Sequence, residues 1–223
     1  MSEKKIGVLA GTPVDTEMGV RLVGRWGYEG LPAATAGNPA EQAYYQMFDR
    51  ARLQALCLEK IRALTAMGAA AALIYCNSLS CALDLPALRQ ASPVPVVTPL
   101  EAYEKIAPEY EHVGIIAANG QSLHGLEAVF YRARPAIRVS GASLLTIVNG
   151  IEAGRPPARL VEGEGLREVC LGLLKTGALC IVLGCTHFGY FRAELAGSLP
   201  APVLDPDDLM RDILRETLVV CVS

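Results

Sequence analysis

The sequence predicts an α/β protein made of two similar lobes with mostly parallel sheets, related by pseudo-two-fold symmetry, and three observations predict it. An apolar, strand-length run, Ala72-Leu73-Ile74-Tyr75, ends in Cys76-Asn77-Ser78. The same pattern returns as Cys180-Ile181-Val182-Leu183-Gly184 before Cys185-Thr186-His187. Upstream, Lys5-Ile6-Gly7-Val8-Leu9-Ala10-Gly11 has an echo in His112-Val113-Gly114-Ile115-Ile116-Ala117-Ala118. Gly7 and Gly114 lie 107 residues apart and Cys76 and Cys185 lie 109 apart, so two features recur at nearly one spacing. That period exceeds the roughly 20–50 residues of solenoid repeats, which leaves a duplicated half-domain. Third, apolar runs alternate with longer stretches of helical spacing, the arrangement of βαβ units.

The elements follow in chain order. Strands rich in Val, Ile, Leu and Ala are expected near 5–10, 71–76, 93–98, 112–118, 178–184 and 201–204. The longest helix is expected over Pro39–Ala66, capped by Asn38 with Pro39 in its first turn, carrying Phe48, Leu56 and Ile61 as apolar positions and closed by Gly68. Further helices are expected at about 100–109, 121–132, 158–176, 188–197 and 206–218, the last capped by Asp205 ahead of Pro206. Val96-Val97-Thr98-Pro99 marks the first lobe boundary and residues 199–206 the second. The first lobe is then 1–98 plus about 206–223, and the second 99–205.

Composition narrows the function classes. The 223 residues are 52% hydrophobic, enough for one large core or two small ones. The N-terminus carries no secretory apolar region and no run approaches the ~20 residues that span a bilayer, so no membrane role and a cytoplasmic location are expected. Seven cysteines without a close, regular framework are expected as free thiols. A net charge of −3 without a basic cluster excludes an electrostatic footprint for nucleic acid. The expected partner is a small molecule.

Cys76 and Cys185 end predicted strands, where open parallel sheets place their ligand crevices. A single buried cysteine is equally well read as core filling; two in matched contexts favour chemistry. Asn77 and Ser78 after the first, and Thr186 and His187 after the second, put amides, hydroxyls and backbone N–H groups at helix or turn N-termini, which suit a carboxylate and equally serve as caps. His187, two positions from Cys185, can lower a thiol's pKa or hold its proton. A zinc site on Cys76, Cys185 and His187 lacks the paired-ligand spacing of a structural site, so no metal is expected. His112 and His124 read as structural or solvated. Cys57, Cys81, Cys170, Cys180 and Cys221 lack matched polar contexts and are assigned to packing. The loop Gly11-Thr12-Pro13-Val14-Asp15-Thr16 matches neither nucleotide-binding spacing; Gly11 and Thr12 are substrate-contact candidates, and Asp15 reads equally as a catalytic helper or a helix cap.

Cys76-Asn77-Ser78 resembles the Cys-Asn-Thr motif, and Gly184-Cys185-Thr186-His187 the Gly-Cys-Thr-His motif, of the aspartate/glutamate racemase superfamily. The resemblance covers essentially the whole chain and includes Val148-Asn149-Gly150-Ile151-Glu152-Ala153-Gly154 and Val203-Leu204-Asp205. It implies an active site between two α/β lobes and cofactor-independent inversion at an amino acid's Cα, with neither metal nor pyridoxal phosphate, in a homodimer. It implies Cys76 and Cys185 as the proton-transfer pair, with Glu152 and His187 at helper positions and Asp15 as a replacement helper. Glutamate racemases carry Asp-Ser-Gly where this chain has Ala10-Gly11-Thr12, which is closer to the Gly-Gly-Met-Gly-Pro loop of aspartate racemases but shorter. The family's Thr-containing turn becomes Ala118-Asn119-Gly120-Gln121, which makes Asn119 and Gln121 the amide candidates for the substrate's side-chain end. Aspartate or glutamate is the expected substrate. A maleate-isomerase-like reaction, which also uses two cysteines, and a non-catalytic carboxylate-binding protein are the alternatives.

Overall fold

The computed structural model describes residues 4–220. The chain divides into two compact units: the residues before Ala102 together with those from Asp208 onward, and Ala102–Asp207.

The first unit holds a parallel four-stranded sheet in the order β2-β1-β3-β4, formed by β1 (Lys5–Ala10), β2 (Glu29–Ala34), β3 (Ala69–Ile74) and β4 (Val96–Val97). Its helices are α1 (Pro13–Arg25), α2 (Pro39–Phe48), α3 (Arg50–Ala66), α4 (Asn77–Ala82) and α5 (Leu85–Ala91). α6 (Leu100–Ile106) leads into the second unit. There a second parallel sheet runs in the order β6-β5-β7-β8, from β5 (His112–Ala117), β6 (Arg138–Ser143), β7 (Ile181–Gly184) and β8 (Val203–Leu204). Its helices are α7 (Gly120–Ala133), α8 (Leu145–Glu152), α9 (Leu166–Lys175) and α10 (Arg192–Ser198), and α11 (Asp207–Val220) closes the chain. The same strand order in both units is the structural counterpart of the sequence repeat.

In each sheet the inner strands are buried without interruption. Ile6, Val8, Leu9 and Ala10 of β1, and Ile115, Ile116 and Ala117 of β5, have no exposed surface, as expected for parallel strands covered on both faces. The second core gathers Ile116, Ile147, Ile151, Leu160, Leu183, Phe188, Phe191 and Leu195. Phe188 and Phe191 pack at 5.1 Å between ring centroids in the same cluster as Cys185.

Several elements differ from the sequence reading. β2 and β6 are the outer strands on one edge of each sheet, and their Gly, Pro and Ser content hides them from an apolar-run criterion. Pro32 is tolerated because an edge strand needs only one ladder of hydrogen bonds. The helix expected over Pro39–Ala66 is two helices. Asp49 leaves helical geometry at φ −140° and its carboxylate accepts from Arg52 N at 3.2 Å, starting α3. α3 buries Leu53, Cys57, Ile61 and Leu64, whereas Phe48 is exposed. Asn38 caps α2 by accepting from Glu41 N at 3.0 Å, with Pro39 in the first turn. The 158–176 segment is a π-helical turn over Arg159–Gly163 followed by α9. The segment after Cys185 opens as a 3₁₀ helix, Thr186–Phe191, before α10. Asp205 accepts from Asp207 N at 3.1 Å at the start of α11.

Candidate active site

A strand order of 2-1-3-4 places a switch point between β1 and β3, because the chain leaves β1 toward one edge and returns on the other side. Crevices at the carboxyl ends of such strands receive ligands. In the first unit, Leu9 and Ile74 are register partners, and the Tyr75 N–H donates to the Leu9 carbonyl at 2.8 Å. The Gly11–Asp15 segment and Cys76 therefore emerge side by side. In the second unit Ala117 pairs with Gly184, and Asn119 and Cys185 emerge side by side in the same way.

Both cysteines have extended backbone, at φ −165°, ψ 119° for Cys76 and φ −151°, ψ 131° for Cys185, and each stands at the N-cap of the helix that follows. Cys76 is 4% exposed and Cys185 6%. The next residues turn helical at once, so Asn77 and Ser78, and Thr186 and His187, are also buried.

The surroundings of the two sulfurs differ. Gln42 Nε2 on α2 donates to Cys76 Sγ at 3.2 Å and to Ser78 Oγ at 3.2 Å. Gln46 Nε2, one turn on, donates to the same Ser78 Oγ at 3.0 Å, and that hydroxyl lies 3.5 Å from Cys76 Sγ. In the second unit, His187 Nδ1 lies 3.7 Å from Cys185 Sγ, and His187 Nε2 lies 2.9 Å from Glu152 Oε1 at the end of α8. An ionised carboxylate only accepts, so Nε2 carries the hydrogen and Nδ1 presents its lone pair to the thiol. Cys185, His187 and Glu152 thus form a continuous path for a proton and its compensating charge.

The remaining candidates separate by geometry. The Thr12 hydroxyl caps α1, accepting from Asp15 N at 3.2 Å, and Thr12 O accepts from Thr16 Oγ1 at 2.7 Å. Asp15 lies in the first turn of α1, fully buried, so the cap is Thr12 and not Asp15. Asn119 caps α7 in a reciprocal arrangement with Ser122, whose N–H donates to Asn119 Oδ1 at 2.8 Å. Among the described residues, the buried Asn77 side-chain amide and the Gln121 Oε1 have no hydrogen-bond partner, which leaves both available to a ligand. His112 is buried, with Nε2 3.0 Å from Ser140 Oγ at the opposite end of β5 from Asn119, and His124 is exposed on α7.

Cys57, Cys170 and Cys180 have no exposed surface, and burial pushes each thiol up to about 12, which keeps them protonated and inert. Cys81 is only half-buried and lines a groove with Arg50, Gln54 and Asp84. Cys221 lies outside the described residues. No cluster of three or more His, Cys, Asp or Glu side chains suited to a metal occurs among the described residues. Nor is any described helix long and apolar enough to cross a membrane.

The family model of the Asp/Glu/Hydantoin racemases matches residues 16–210, from just after Asp15 to the start of the closing helix. The chain belongs to that family. Among relatives with curated names, the glutamate racemase of Shewanella woodyi is 31% identical over 181 residues, covering 74% of this chain and 66% of its own. The glutamate racemase of Deinococcus radiodurans is 35% identical over 159 residues, covering 64% of this chain and 52% of its own. The chain thus spans less than two thirds of the length of these racemases. In fold, it is similar to the Francisella tularensis glutamate racemase solved with D-glutamate. That likeness has a TM-score of 0.73 at 22% identity and covers 98% of this chain and 82% of the other.

Gln42 and Gln46 are the site residues that sequence reasoning missed. The available signal was two glutamines one turn apart, a spacing that puts both on one face of α2.

Proposed function

We propose that this chain is a cofactor-independent racemase of an acidic amino acid, glutamate or aspartate, in which Cys76 and Cys185 are the two proton-transfer groups. The observation that carries the reading is the pair of buried thiols at the same switch point of two sheets with the same strand order. The glutamate racemase relatives favour glutamate as the first substrate to try.

Inversion at Cα requires a base that removes the α-proton from one face and an acid that delivers a proton to the other. Reversibility requires the two to exchange roles, and two thiols meet that requirement with one functional group. In one direction the Cys185 thiolate takes the α-proton while the Cys76 thiol supplies a proton to the carbanion. In the other direction each does the opposite. A free thiol is only a few per cent ionised at neutral pH, so each sulfur needs assistance. His187, backed by Glu152, accepts the Cys185 proton and leaves a thiolate–imidazolium pair, and Asn77 offers a free amide to the substrate beside Cys76.

The test is incubation of the purified protein with single enantiomers of glutamate, aspartate and a hydantoin in D₂O, with a chelator and no added cofactor. Formation of the opposite enantiomer of an acidic amino acid, deuterated at Cα, is expected. Turnover of the hydantoin alone, or of none, would overturn the assignment.

A further inference from the structure

We propose that Gln42 is a positioning residue that holds the Cys76 sulfur for proton transfer, its side-chain amide donating a hydrogen bond that favours the thiolate without being able to take its proton. The inference rests on the reading of Cys76 as a proton-transfer group.

The two sulfurs face different chemistry. Cys185 faces an imidazole that can accept a proton and pass its charge to Glu152. Cys76 faces the Gln42 amide, a neutral donor. A hydrogen bond to the charged form of a group favours that form, so the amide assists ionisation by solvation rather than by proton transfer. The placement is built rather than incidental. Gln46 and Ser78 are 1% and 5% exposed and Gln42 is 9% exposed. Burying amides without partners is unfavourable, yet α2 turns both glutamines inward, where Ser78 Oγ accepts from each. Gly11 completes the arrangement: a Cβ there would lie 1.9 Å from Gln42 Nε2. Only a residue without a side chain lets the amide reach the sulfur.

The charged groups at the ends of these elements nearest the cluster in sequence are Asp15 in the first turn of α1, Glu41 in the first turn of α2 and Arg50 at the start of α3. Glu41 accepts from Gly37 N at 2.7 Å and from Tyr45 Oη at 3.2 Å, and Arg50 Nε donates to the Gln46 carbonyl at 2.9 Å. All three stay in place in the variants below, so a change in Cys76 ionisation reports on Gln42.

The experiment compares the wild type with Gln42→Met, similar in volume but without a donor, Gln42→Glu, which places a carboxylate against the sulfur, and Gly11→Ala, which displaces the amide. Iodoacetamide alkylation of Cys76 is followed by peptide mass spectrometry from pH 6 to 10, and kcat/KM is measured against pH in both directions. Loss of the donor is expected to move the Cys76 labelling curve up by about one unit, with roughly tenfold slower labelling at pH 7, and Gln42→Glu to move it further. In kcat/KM, the acid limb is expected to rise in the direction that uses Cys76 as base and the basic limb in the other, while limbs set by Cys185 stay in place. A merely structural role would lower kcat in both directions without moving either limb. An unchanged Cys76 labelling curve in Gln42→Met and Gly11→Ala would overturn the inference. If the wild type turns over no amino acid, the racemase reading fails separately and the labelling curve still decides the role of Gln42.

Discussion

Glu152 Oε1 lies 2.9 Å from His187 Nε2, joining the end of α8 to the first turn after β7 across 35 residues of sequence. That bond fixes the imidazole's tautomer and turns its lone pair toward Cys185. Glu152→Gln preserves the shape and removes the charge that stabilises an imidazolium. We predict a roughly 10- to 100-fold lower kcat, at or below the lower end of the roughly 10²–10⁴-fold that a directly acting acid–base group contributes, with the acid limb of the pH profile moved up in the direction that uses Cys185 as base. Steady-state kinetics in both directions checks it; a uniform loss with unmoved limbs would assign Glu152 a structural role.

Gly184 and Gly11 give contrasting predictions. A Cβ on Gly184 would meet Leu126 Cδ1 at 2.6 Å and, less yielding, the Ile116 carbonyl at 2.8 Å. Gly184→Ala must push β7 from β5, so a loss of about 1–3 kcal/mol is expected by urea denaturation, together with reduced activity. At Gly11 the obstacle is the end of the Gln42 side chain, which can swing away. Gly11→Ala is therefore expected to lose activity with a much smaller change in stability.

Thiol burial sets the alkaline limit. Cys57, Cys170 and Cys180 are raised from an ordinary 9.0 to about 12, chiefly by burial. Below pH 9 folded and unfolded chains both hold these protons and stability is unaffected. Between about 9 and 12 the unfolded chain releases them first, so stability falls as pH rises through that window. Denaturant midpoints at pH 8 and 10 should show the loss, and Cys170→Ala should reduce the pH slope while lowering stability at both values.

On the acid side, burial first and the Arg138 guanidinium second hold His112 below its ordinary 6.5. The unfolded chain then takes up the proton first as pH falls. The stabilisation is complete above 6.5 and is lost as pH falls from there through the lowered folded value. His112→Asn should flatten this part of the stability profile between pH 7 and 5, measured by thermal melts.

The parts of this molecule that follow from local pattern were legible in the sequence. The runs ending in Cys76 and Cys185 read as buried strands because central parallel strands are apolar throughout, and the small polar residues after them read as a site. The edge strands β2 and β6 were not legible, unlike the short apolar β4 and β8 at the opposite edges: Glu29–Ala34 and Arg138–Ser143 bury only part of their surface, so nothing selects for continuous apolar character. Asp49 divided an apparently single helix because its carboxylate caps α3, a local preference that outweighed the periodicity around it. Gln42 was hidden for another reason. It reaches Cys76 from 34 residues away, and a helical glutamine reads as solvated unless the fold shows which face is turned inward. Thr12 and Asn119 were singled out as substrate contacts, and their hydroxyl and amide oxygen cap α1 and α7.

The central claim, that two thiols share one inversion, is tested most directly by Cys76→Ala and Cys185→Ala, each given L- and D-glutamate separately while the opposite enantiomer is quantified. The account predicts that either substitution alone lowers inversion in both directions by roughly 10³-fold. Retention by either variant of more than about a tenth of the wild-type rate would contradict it, because one sulfur would then suffice for both proton transfers.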